Sequence, residues 1–162
     1  VELVVGTLRQ FSFRTGEVMP FVFAVNQLGQ RLFAPPNVKG WDGGAAWINT
    51  NTLLLRYNLP GFLLRGEPLV GATGSGRPGG DRRARKLLGR TAAVHQLDTI
   101  LPAEQCGEPA RVVDQLAARL LQARLNPATR TWLVEQAGAV PAEERAVAVA
   151  HLVMCRPEFQ LC

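Results

Sequence analysis

The residue types best suited to chemistry gather between Pro35 and Asn58, where Asn37, Lys39, Trp41, Asp42, Trp47, Asn49 and Arg56 all fall. Trp41 and Trp47 flank the Gly43-Gly44 pair, whose freedom to take positive φ allows a tight aromatic corner. Indole faces beside amide and carboxylate groups can grip a polar ring such as a sugar. The same residues also have a purely structural use. The two tryptophans can anchor a long loop, Asp42 or Asn49 can cap the helix that follows, and Arg56 can tie the loop down. Ordered loops of this length need internal anchors, so the structural use carries more weight. The seven residues therefore stand as candidate ligand or partner contacts, with no catalytic role assigned to any of them.

Other chemistry is sparse. Ser12 and Ser75 are the only serines, and neither has a G-x-S-x-G setting or a nearby histidine. Gly74, Gly76 and Gly79 satisfy G-x-G-x-x-G, but Pro78 and Gly80 intrude where a phosphate-binding helix would have to open. Arg77, Arg82, Arg83, Arg85, Lys86 and Arg90 form a basic run without interleaved aromatics. It reads as a solvated face more than a nucleic-acid contact. Cys106, Cys155 and Cys162 contain no C-x-x-C, and His95 and His151 lack ligand spacing to them, so no metal site and no cofactor are expected. A bond between Cys155 and Cys162 and a buried thiol at Cys155 are both open, the thiol being the simpler reading. Glu143-Glu144 look like helix-start charges. No active site complete within the chain is expected.

The elements that must position these residues read as helices. The chain has 162 residues, 47% of them hydrophobic and 19% charged, enough for one domain with a real core. The net charge of +5 permits an anionic partner without requiring one. No apolar run is long enough to span a membrane. Residues 1–65 form an aromatic-rich block. Its first helix covers Glu2 to Phe11, and its second runs from about Glu17 to Leu28, with Pro20 in the first turn and Gly29 as the stop. Pro35-Pro36 forbids helix and opens a long Pro/Gly/Trp loop. A third helix begins near Trp47 and bends or ends before Pro60. Residues 66–91 form a flexible Gly- and Arg-rich linker or insert. Residues 92–162 return to helices that pack with the first block. Pro109 opens one, with Val112, Val113, Leu116, Leu120 and Leu121 as its apolar stripe. Asn126 caps and Pro127 opens the next, which Gly138 ends. Pro141 starts the last, whose AVAVAHLVMC body is apolar nearly all round and should be central. The expected fold is all-α, an irregular helical bundle.

The segment GQRLFAPPNVKGWDGGAAWINTNTLLLRYN resembles the signature near the C-terminus of the bacterial family called domain of unknown function 1800. VELVVGTLR resembles the helix preceding that signature, and HLVMCRPEFQLC resembles the family's terminal helix and tail. The resemblance implies a helical protein, often exported to the periplasm or beyond, and brings no established catalytic residue. Because the chain opens at Val1 inside a helical pattern, it reads as the C-terminal part of a longer exported protein. A role in assembly or partner binding follows, the partner being another protein or the N-terminal region of the same one. The alternatives are a hydrolase-like active site of which the loop forms one wall, and, more weakly, nucleic-acid binding through the basic insert.

Overall fold

The structure, a computed structural model, describes residues 2–14, 18–31, 33–41, 46, 49–67, 69 and 97–160. It is all-α, and among the described residues no strand occurs. The chain divides into two compact units, one comprising Val1–Gly6 and Arg14–Val94, the other Thr7–Phe13 and His95–Cys162. The expected linker beyond residue 69, including the basic run Arg77 to Arg90, lies outside the described residues, as do Ser75, His95 and Cys162.

Helix α1 spans Glu2–Gln10. It closes through Ser12, whose φ of 49° puts a serine in the left-handed conformation that glycine usually takes. The Ser12 amide then donates to the Arg9 carbonyl and the Phe13 amide to that of Leu8.

In the first unit, α2 spans Met19–Gln27, with Pro20 in its first turn as the sequence predicts. It ends at Gly29, which takes a φ of 84° so that the Gly29 and Gln30 amides can reach the carbonyls of Asn26 and Val25.

Helix α3 spans Thr50–Arg65. It passes through Pro60, where the sequence predicted a bend or an end. Proline in a helix interior costs roughly 3 kcal/mol through its lost N–H and ring clash. Leu59, Phe62, Leu63 and Leu64 are all buried in that stretch, and each contributes about 1.5–3 kcal/mol, so burial outweighs the penalty. The rings of Phe21 and Phe62 meet edge to face at 6.1 Å and pack α2 on α3. Gly66, read above as the start of the linker, is the left-handed cap of α3, and the Gly66 and Glu67 amides converge on the Gly61 carbonyl.

In the second unit, α4 (Leu97–Ile100) and a 3₁₀ turn (Ala103–Gln105) lead into α5 (Pro109–Leu120). There follow α6 (Pro127–Gly138), α7 (Ala142–Met154) and α8 (Pro157–Gln160). The stripe Val112, Val113, Leu116, Leu120 and Leu121 is buried throughout, as its spacing predicts. Asn126 accepts the Ala128 amide at 2.9 Å, which makes it the cap of α6. Helix α7 packs on both α5 and α6, but α5 and α6 also pack on each other, so the central place expected for α7 is shared among the three. Nor is α7 the last helix. Pro157 opens the single turn of α8, which buries Phe159 and Gln160, and the Gln160 side chain donates to the Met154 carbonyl at 2.7 Å.

Among the described side chains of the second unit, one charged group is buried. Arg145 is only 8% exposed. Its Nε donates to the Ala137 carbonyl at 2.7 Å and its Nη2 to that of Val140 at 3.0 Å. Its Nη1 reaches the carbonyls of Gly107, at 2.9 Å, and Cys106. Replacing Arg145 by Ala leaves those carbonyls without their donor and should destabilise the fold by at least about 3 kcal/mol. Arg145→Lys should fall between the two, because an ammonium cannot span the fork. Urea unfolding midpoints measure both, and an Arg145→Ala midpoint equal to that of the natural chain would refute the role.

Candidate functional site

The described part of the loop between α2 and α3 contains two turns. In the first, the Ala34 amide donates to the Arg31 carbonyl at 3.1 Å, with Phe33 at a φ of 61°. That conformation is a strained one for a bulky residue and is normally left to Gly or Asn. In the second, the Asn37 side-chain oxygen accepts the Lys39 amide at 2.9 Å, and the Asn37 carbonyl accepts the Gly40 amide at 3.1 Å. Gly40 takes a φ of 91°, and a Cβ there would meet open space, so the backbone conformation alone asks for glycine.

Of the seven candidate contacts, the two asparagines have local backbone tasks. Asn37 closes its turn. Asn49 caps α3 in a reciprocal box: its side chain accepts the Thr52 amide at 3.0 Å, and the Thr52 hydroxyl accepts the Asn49 amide at 3.0 Å. The capping reading of Asn49 is therefore the one realised. Lys39 and Trp41 stand at the surface, Trp41 with 39% of its area exposed. Arg56 is half-buried on α3, and desolvation lowers its pKa from the ordinary guanidinium value. Asp42 and Trp47 lie outside the described residues, so the proposed aromatic corner does too.

Two residues that chemistry-minded reading passes over dominate this surface. Phe33 is 94% exposed and Val38 is fully exposed at 106%. The only sequence signal was the setting, since apolar residues beside Pro35-Pro36 and Gly40 have no periodic face to bury.

Elsewhere the described residues offer little reactive chemistry. No group of three or more His, Cys, Asp or Glu among them could hold a metal ion. Burial pushes the Cys155 thiol above its usual range, the opposite of what activates a nucleophile. His151 sits half-buried in the last turn of α7.

The family model described as "Protein of unknown function (DUF1800)" matches residues 1–161. The chain belongs to this family. The signature loop and the helices on either side of it all lie within that match. No curated protein and no solved structure matches the chain.

The capping geometry sets an energetic expectation. Asn49→Ala should cost about 1 kcal/mol, within the usual 0.5–2 kcal/mol for a lost cap, and Asn49→Asp or Asn49→Ser should restore most of it. Thermal unfolding checks this, and an alanine variant as stable as the natural chain would show that the cap contributes nothing.

Proposed function

We propose that this chain is a non-catalytic docking module that uses the Arg31–Trp41 loop to bind another protein or a further part of its own polypeptide. The exposure of Phe33 and Val38 carries the reading. Both side chains stand almost wholly in water at the surface of a loop that its own turns hold in shape. Burying each on a partner would contribute about 1.5–3 kcal/mol. A loop already set by two turns and by Pro35-Pro36 loses less freedom on binding than a flexible one would. Trp41, partly exposed three residues beyond Val38, adds the residue type most often found at interface hot spots. Arg31 and Lys39, both exposed, would favour an acidic rim around the apolar contact.

The enzymatic alternative has less support. The side-chain oxygens of Asn37 and Asn49 each accept a backbone N–H of their own loop or helix. The family match brings no reaction with it.

Site-specific photo-crosslinking in the producing cell tests the proposal. A photoreactive residue at position 33 or 38 should give one defined adduct, either to a second protein or within the polypeptide. The same probe at Glu143, exposed in the first turn of α7, should not give it. With the probe at position 38, Phe33→Ser and Trp41→Ala should each weaken that adduct. Unfolding should shift by no more than about 0.5 kcal/mol in the Phe33→Ser variant, as expected for an exposed site. Loss of folding without any adduct at position 33 or 38 would mean instead that the loop serves the fold alone.

A further inference from the structure

The second unit contains a separate open cleft of about 420 Å³ beside the C-terminal half of α5. Asp114, Ala117, Ala118 and Leu121 recur at the spacing of one helical face and line it together. Gln122 and Arg124, from the connection after α5, and Arg130, from α6, complete the polar part of the lining. The alanines leave the space, and Leu121 makes its buried apolar edge.

The charge in the cleft does not cancel. Asp114 and Arg130 form a two-pronged pair, with Arg130 Nε and Nη2 each 2.7 Å from a different Asp114 oxygen. The Arg130 hydrogen bond holds the Asp114 carboxyl below its ordinary pKa, so the pair is fully ionised near neutrality. Arg124 is exposed and forms no ion pair among the described residues. One positive charge is left over. The C-terminal end of the α5 dipole, worth about half a negative charge, offsets part of it. An apolar wall with a surplus of less than one full cation suits a singly charged anion with a small hydrocarbon body, and suits a multiply charged phosphate poorly.

We propose that this cleft binds a small aliphatic monocarboxylate, with its hydrocarbon chain along Ala117, Ala118 and Leu121 and its carboxylate on Arg124. The site is independent of the loop reading above and survives its failure. Its shallow, open form places the affinity at about millimolar or somewhat tighter.

Titration of the full chain with sodium hexanoate, followed by amide NMR, tests it. Amide signals of Ala117, Ala118, Leu121 and Arg124 should move and saturate. Hexanamide, of the same shape without the charge, should bind about tenfold more weakly, and so should hexanoate with an Arg124→Gln variant. Acetate, which lacks the chain, should be weaker still. Ala118→Leu, at an exposed position where folding should be retained, should fill the space and remove saturable binding. The proposal fails if no saturable shift appears by about 10 mM hexanoate, well beyond the expected range. It fails equally if hexanamide binds as well as hexanoate, or if the Arg124→Gln variant binds hexanoate as the natural chain does.

Discussion

The second unit depends on a buried cation held, among the described residues, by backbone carbonyls and not by a carboxylate. Arg145 sits in the first turns of α7, and its guanidinium is bonded to the carbonyls of Cys106, Gly107, Ala137 and Val140. Desolvating an arginine costs several kcal/mol, and that cost is met only where most of its donors are satisfied. Two of the acceptors lie at the C-terminal end of α6, where the helix dipole adds favourable potential for a cation. The other two lie in the turn that follows the 3₁₀ segment. Apolar contact is non-directional, and an alanine- and valine-rich helix can slide along its neighbours at little cost. The arginine fork is directional. It fixes where α7 starts against the end of α6 and against the approach to α5, and the stripe of α5 then meets α7 in one register.

The first unit solves a different problem. The longest of its described helices, α3, carries a proline in its body, and the segment around that proline is its most deeply buried part. Local rules assign the break and non-local burial removes it. Both ends are then held by strong local signals, the Asn49–Thr52 box before it and the left-handed Gly66 after it. With its ends fixed in this way, the helix can tolerate one missing internal hydrogen bond.

What was legible in the sequence follows the same division. Features set by nearest neighbours could be read directly: Asn126 and Pro127 at the start of α6, Gly29 at the end of α2, and the all-helical class. The buried stripe of α5 was legible because a single period repeats over three turns. Features set by distant packing were not. The continuation of α3 past Pro60 depends on what covers Leu59 and Phe62. The turn of α8 depends on a place for Phe159. Arg145, within Ala142-Glu143-Glu144-Arg145, has the pattern of a solvated helix start, and only the fold shows that its side chain turns inward. At the loop, residue type did not reveal which backbone tasks the asparagines carry. Asn37 and Asn49 have polar groups suited to ligands, but the backbone uses them; Phe33 and Val38 lack such groups and were left at the surface.

That exchange of roles explains what kind of function the loop can support. A turn that places a phenylalanine at positive φ raises the energy of the isolated chain, and such strain persists only where the surroundings over-determine it. Here the Ala34–Arg31 hydrogen bond and the rigid Pro35-Pro36 pair hold the strained turn, while Asn37 and Gly40 hold the next one. The Asn37 oxygen serves the turn it closes, and the loop offers outward apolar area with two cations beside it. Association needs desolvatable area in a fixed arrangement, and that is what Phe33, Val38 and Trp41 supply. The physical cost and the exposed surface are the two observations that support the binding role proposed above.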